Sequence, residues 1–439
     1  MDRPETPLQR FRTRLYETGL ALRQDALFEL LDAVLSGDGP TSLVRHSLAA
    51  PFRRRWPSVC DALSDGSLDP AALRRLALET LPPPAAGERP LWVVDSSPWP
   101  RPKARTSPER TYGCAITGGK PTKCIVPAWE YLWLAAVPEP KGSWVLPLDV
   151  ARRGPTAGPP TAQALEQLRR VLAARPAGAA RPVVAFDGGF DPIAAARSDV
   201  PADRLVRLAR NRVFYRAPGP YQGRGRPRIH GPAFRLQDPA THGATDHRAT
   251  VANPDYGQLT VAAWEGLHAR KGPDAPLTVV RVQVERLPGG ASPPSPLWLA
   301  WCGAALPADL TEVARWYLRR FAVEHGFRFL KQGLGWTRIR PRSPAAADRW
   351  SWLLALALWQ LWLARPLVAD RRLPWETPRA PGRLTPGRVR RAFGGLFLGL
   401  GTPARPPRPR GKSPGRGRGA RPGPAKRYPV VHRQPKRAA

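Results

Sequence analysis

The stretch Ala308–Trp336, ADLTEVARWYLRRFAVEHGFRFLKQGLGW, decides how the rest of the chain is read. Trp316, Val323 and Leu330 recur at every seventh position, the spacing of an apolar helix face that docks on a core. On the adjoining arc Tyr317, Arg320, Glu324 and Lys331 stand at offsets 0, 3, 7 and 14. At about 100° per residue these four fall within an arc of about 60°. The spacing predicts one helix that presents a single carboxylate among cations and a phenol. A carboxylate so placed can hold a divalent ion while Arg, Lys and Tyr hold the phosphates of a phosphodiester.

Upstream, two apolar runs end on aspartate. LWVVDSSPWPRP (Leu91–Pro102) reads as a strand that stops at Asp95, and RPVVAFDGGFD (Arg181–Asp191) as a buried strand that ends on Asp187. EYLWLAAV and SWVLPLDVA are strand-like and TAQALEQLRRVLAA is helical. The order strand, strand, strand, helix, strand predicts an α/β layer with both aspartates at the carboxyl ends of neighbouring strands. Two rivals are weaker: Asp191 precedes Pro192 and reads as a helix cap, and Asp149 ends a strand without a supporting pattern.

From about Pro201 to Ala305 the chain reads as β-rich, with short strand-like runs and turn residues between them. There YQGRGRPRIHG sets Arg224, Arg226 and Arg228 on alternate positions among glycines. That composition suits tracking a phosphate backbone, and equally suits a solvated loop. His230, His242 and His247 fit no common metal spacing and read as surface residues.

The chain has 439 residues, 69 Lys+Arg against 34 Asp+Glu and a formal charge of +35. Such a balance calls for a polyanionic partner. Only nine of the cations are lysines, a bias typical of GC-rich coding, so the place of the charge is more informative than its size. Residues 1–86 hold 11 basic and 11 acidic residues and read as helices, with Arg53, Arg54 and Arg55 beside Trp56 as either a phosphate contact or a solvated run. Residues 402–439 hold 12 basic and no acidic residues among Pro and Gly, the composition of a disordered cationic tail. The remaining +23 therefore belongs to the middle of the chain. The longest apolar stretch, Trp350–Ala364, is shorter than the roughly 20 residues of a membrane span and predicts a buried helix. With no apolar segment at its start, the chain is expected in the cytoplasm, at the nucleoid, and not on a membrane. Cys60, Cys114, Cys124 and Cys302 are too far apart to suggest a zinc site.

Tyr317-x-x-Arg320-x-x-x-Glu324-x-x-x-x-x-x-Lys331 resembles the Y-R-E-K signature of bacterial insertion-sequence transposases of the DDE superfamily. Asp95 in WVVDSS and Asp187 in VVAFDGGF resemble that family's two aspartates, and the likeness runs from about Leu91 to Trp336. The resemblance implies an α/β, ribonuclease H-like catalytic core interrupted by a β-rich insertion, arranged as an N-terminal helical DNA-binding region (1–86), core (87–200), insertion (201–305), catalytic helix with C-terminal helices (306–401) and tail (402–439). It further implies that Asp95, Asp187 and Glu324 hold two Mg²⁺ ions, which Mn²⁺ can replace. Chemistry would run in two steps: strand cleavage at the transposon end, then attack of the freed 3′-OH on target DNA. Tyr317, Arg320 and Lys331 would grip phosphates. In relatives with a hairpin intermediate an aromatic in the insertion stacks on a flipped base, and Trp264 and Trp298 are the candidates. Double-stranded DNA, as terminal inverted repeats and target, and a homodimer on paired ends are the implied partners. Two other readings stay open: a domesticated relative that only binds DNA, and a metal-dependent nuclease without strand transfer.

Overall fold

Leu91 to Val94 are four apolar residues in succession, the composition of a strand buried on both faces. In the computed structural model they open a mixed sheet of twelve strands among the described residues, which are 5–37, 39, 41–116, 123–221, 223, 225–287, 294–409, 415, 417, 419, 421 and 423–431. The strands are β1 (Leu91–Pro100), β2 (Thr111–Ile116), β3 (Lys123–Ala136), β4 (Leu146–Arg153), β5 (Val183–Phe186), β6 (Asp203–Arg207), β7 (Val213–Tyr215), β8 (Ala233–Arg235), β9 (His247–Asn253), β10 (Gly257–Ala269), β11 (Gly272–Val284) and β12 (Leu297–Cys302). Their order is β2-β3-β1-β5-β6-β12-β11-β10-β7-β8, with β4 beside β3 and β9 beside β10. β1, β5 and β6 run parallel, and the other pairings are antiparallel.

Strand alternation splits the core between the two faces. Trp92, Val94, Val184 and Phe186 belong to one apolar cluster, and Leu91, Val93, Val183, Ala185 and Leu205 to the other. The first face meets the N-terminal helices α1–α5 (Pro7–Arg14, Gln24–Ser36, Leu43–His46, Pro57–Asp65, Pro70–Thr80), α6 (Pro160–Ala173) and a long helix described below. A short helix α7 (Pro192–Ala196) follows β5, its N-terminus capped by Asp191, whose carboxylate accepts the Ile193 N–H at 3.0 Å. The second face is covered by α8 (Thr311–Arg319) and α9 (Ala322–Arg328), with Val313, Trp316 and Val323 in its cluster. This mixed α/β arrangement is consistent with a ribonuclease H-like core.

The apolar stretch at Trp350 lies in α10 (Pro344–Ala364), started by Ser343, whose hydroxyl accepts the Ala346 N–H. It is buried around almost its whole circumference, between β4, the N-terminal helices and α11 (Pro386–Phe393). Among the described residues no helix is long and apolar enough to cross a membrane. Arg12, buried in α1, closes this junction by donating to Asp32 at 2.6 Å and to Gln360 of α10 at 2.7 Å. The neutral N-terminal segment thus contributes directly to the core beneath the sheet.

Four details differ from the sequence expectation. β1 does not stop at Asp95 but continues to Pro100, because β3 keeps pairing with it from Ser96 onward after β5 has ended. Asp203–Arg207, read with the β-rich stretch, is the third parallel strand, and β12 pairs with it so that β7–β12 extend the same sheet. Arg53 and Arg54 are not a free charge run: they pair with Glu29 and Asp25 and donate to the carbonyls of Ala404 and Arg405. The described part of the tail is likewise docked in places, with Ala404 buried and the N–H groups of Tyr428 and Val431 donating to the carbonyls of Arg105 and Arg110.

Candidate active site

Register brings the two aspartates together. Val94 stands opposite Phe186, and Phe186 opposite Val206, across the three parallel strands. The next residues are Asp95, Asp187 and Arg207. By alternation all three follow Val93, Ala185 and Leu205 onto the face that α8 and α9 cover.

The covering segment is not one regular helix. Between α8 and α9 the chain tightens, with Arg320 N–H donating to Tyr317 O and Phe321 N–H to Leu318 O, three residues back. After α9 it widens, with Leu334 N–H donating to Phe329 O, five residues back. Trp316, Val323 and Leu330 are buried across these turns. Gly326 lets α9 lie close to the sheet, since a Cβ there would stand 2.3 Å from Val145 Cγ2.

Arg320 connects the acidic residues. Its side chain is almost fully buried, and its guanidinium lies 3.2 Å from Asp95, 3.4 Å from Glu324 and 3.8 Å from Asp187. Tyr317, also buried, directs its hydroxyl to Asp187 at 3.4 Å, and Arg207 adds a second cation there at 3.6 Å. Lys331 is half-buried, with its ammonium over the rings of Phe327 and Trp336.

Burial pushes the Asp95 carboxyl up to about 6, with Asp187 and Glu324 adding to the rise against the opposing pull of Arg320 and the Ser96 N–H. Asp187 moves the other way. Burial would raise it, but Arg320, the Gly188 N–H, Arg207 and Tyr317 together hold it below the ordinary carboxylate value. Neighbouring carboxyls whose surroundings push them in opposite directions are the pattern by which active sites divide acid and base roles. Burial raises the Tyr317 phenol to about 12, so it remains a donor. Burial also lowers Lys331, against the attraction of Asp95.

Three carboxylates are the hard oxygen donors that Mg²⁺ or Mn²⁺ selects. Among the described residues, however, no three His, Cys, Asp or Glu side chains converge closely enough to hold a metal ion. The Arg320 guanidinium supplies the positive charge that all three face. The donor set fits a divalent ion chemically, provided that Arg320 yields its contacts.

Other sequence candidates lie elsewhere. Arg226 and Arg228 are exposed in the loop between β7 and β8, five strand spacings from β5, or roughly 25 Å along the sheet; Arg224 lies outside the described residues. Trp264 and Trp298 are 1% and 3% exposed. They face each other and Phe234 beneath Arg281, so the expectation that they stack on a base is corrected: their strands turn them inward. His242, read as a surface residue, is buried in that cluster and stacks on Phe234. Asp149 is buried in ion pairs with Arg74 and Arg170, a structural role. Arg207 was missed in the sequence; the signal available was the apolar run LVRLA, whose arginine follows Val206, the last residue of β6 paired with β5, as Asp95 and Asp187 follow Val94 and Phe186.

A family model described as DDE superfamily endonuclease matches residues 16–270, a span that includes Asp95 and Asp187. No curated protein sequence matches the chain.

Proposed function

The chain belongs to the DDE superfamily of endonucleases, and on that premise we propose that it is a DNA transposase that cleaves the ends of its element and joins the freed 3′-OH to target DNA. Phosphodiester cleavage is the activity of the family. The finer reading rests on one observation: Glu324, beyond the matched span, shares the Arg320 guanidinium with Asp95 and Asp187. Three carboxylates, rather than two, thus face one position.

Asp95, Asp187 and Glu324 would hold two divalent ions. When bound, these supply Lewis-acid activation of the attacking oxygen and neutralise charge on the departing one. The chain's own residues do the rest. Arg320, once the ions take over its three carboxylates, would offer its guanidinium to phosphate oxygens, for which its planar fork is suited. Tyr317 keeps its proton at neutral pH and orients Asp187 through its hydroxyl. Lys331 provides a point charge beside Asp95, and Arg207 a second cation at the strand ends. The β7–β12 extension acts as the family's insertion, and a homodimer assembles on paired DNA ends.

The test is an assay with Mg²⁺ and duplex DNA carrying the inverted repeats that flank the reading frame. Joined products that disappear in Asp187→Ala and Glu324→Ala support the transposase. Cleavage without joining supports a nuclease, and binding without cleavage a domesticated DNA-binding relative.

A further inference from the structure

The strongest unassigned feature is a cleft of about 930 Å³ at the far end of β1. Trp99–Ser107 form one wall and Thr337–Arg342 the other, with Ser42–Val44 at the rim. Lys103, Arg338, Arg340 and Arg342 are all exposed and line it, and no Asp or Glu does. In Thr337–Arg342 the chain alternates: Ile339 and Pro341 are buried while the three arginines point outward.

Among the described residues these cations lack a compensating acid. Arginines elsewhere, such as Arg152, Arg197 and Arg388, pair with acids. Lys103, Arg338, Arg340 and Arg342 form no ion pair or side-chain hydrogen bond with any described residue. Behind them Arg101 is buried and joins the walls, donating to Ser107 Oγ at 2.8 Å and to the Pro341 carbonyl at 2.7 Å over the ring of Trp129. Its Nε has no hydrogen-bond partner among the described residues. Burial, with Arg340 and Arg110 nearby, lowers the Arg101 guanidinium to about 10. Among the described residues, like charges are held together here with no acidic side chain paired to them.

Both walls lead back to the carboxylates. β1 runs from Asp95 to Trp99, and the other wall follows from Glu324 through Lys331 and Trp336. At about 3.3 Å per strand residue the cleft begins some 13 Å from Asp95, roughly four phosphates along a strand at about 3.4 Å each.

We propose that this cleft grips the sugar-phosphate backbone of duplex DNA flanking the cleaved bond, through sequence-independent contacts from Arg338, Arg340, Arg342 and Lys103. This rests on the reading of the site as a DNA-cleaving centre. Alternate exposed arginines above a buried apolar row suit a backbone track, and their lack of acidic neighbours suits a polyanion.

The test measures binding of the full chain to a 30-base-pair duplex of arbitrary sequence, without divalent ions, across a salt series. Each phosphate contact contributes about 0.9 to the slope of log K against log salt. The triple variant Arg338→Ala/Arg340→Ala/Arg342→Ala should lose about 2 to 3 in slope, and affinity by roughly 10-fold or more at low salt. An equal-charge control at exposed positions away from the cleft, Arg371→Ala/Arg372→Ala/Arg383→Ala, should stay within about 0.5 of the parent, and the triple lysine variant of the cleft arginines should recover most of the slope. Equal slopes in the alanine variant and the control would overturn the proposal. So would poly-glutamate binding as tightly as duplex, which would mark an acidic protein partner. Because no metal is present, a chain that binds this way but never cuts retains the cleft and loses the catalytic reading; one that cuts with unaltered slopes loses only the cleft.

Discussion

Asp95 and Asp187 stand side by side where the parallel pairing of β1 with β5 ends, because Val94 and Phe186, the residues before them, are register partners. Strand spacing, about 4.8 Å, therefore sets their separation. The Arg320 guanidinium reaches both, at 3.2 and 3.8 Å. A slip of one residue between β1 and β5 would send one carboxylate to the α10 face and dismantle the site.

Removing Arg320 leaves Asp95, Asp187 and Glu324 facing one another without their shared cation. Asp187 and Glu324 are more than a third exposed, so solvent relieves part of the repulsion. Arg320→Ala should cost about 2 kcal/mol in metal-free buffer, and millimolar Mg²⁺ should restore stability more in the variant than in the parent. Urea titrations with and without Mg²⁺ measure both; an identical Mg²⁺ response in the two proteins would contradict a divalent-ion site among these carboxylates.

Asp95 gives the site a pH dependence. Its carboxyl rises from 3.8 to about 6, chiefly through burial. Between those values the folded state keeps a proton that the unfolded chain has released. Its contribution to stability is therefore full below about pH 4 and is lost as pH rises through 6. Two units correspond to at most ~3 kcal/mol. Asp187, shifted down, has the opposite sign and contributes above 3.8, with loss at lower pH. Metal-free unfolding from pH 4 to 7 should show a steeper fall for the parent than for Asp95→Asn; parallel curves would refute it.

The buried strand runs and the seven-residue apolar repeat were legible because they follow local periodicity: Val93, Ala185 and Val323 read as buried and are. What escaped was set by pairing. Nothing local in WVVDSSPWP announces that β3 carries the strand past Asp95, or that Arg207 ends a third parallel strand beside Asp187. Composition misread the tryptophans for a related reason. A Trp in a strand can face either side, and only the sheet shows that Trp264 and Trp298 face inward. Ideal helix geometry predicted the stripe of Tyr317, Arg320, Glu324 and Lys331 but missed the tight and wide turns within it.

Gly326 governs the depth of Glu324. A methyl group there meets Val145, a buried, β-branched residue just before β4 that has little room to retreat. Gly326→Ala should cost about 1–3 kcal/mol and move α9 outward, carrying Glu324 off the position shared with the aspartates. Single-turnover cleavage should fall about 10- to 100-fold, while duplex affinity without metal stays within about twofold. Loss of affinity in step with cleavage would point to general unfolding instead.

Trp264 and Trp298 offer a separate test of what the β-rich part of the sheet does. Both rings are buried, with Arg281 above them at 5.6 and 5.9 Å and Phe234 and His242 against them. Trp264→Ala should therefore behave as a core deletion, costing about 3–5 kcal/mol, and below its lowered unfolding temperature each folded molecule should bind and cut as the parent does. A base-stacking residue would show the reverse: unchanged stability and a loss of turnover on duplex that a substrate with an unpaired end restores. Thermal unfolding followed by turnover per active site on both substrates separates the two, and the contacts of Trp264 favour the first.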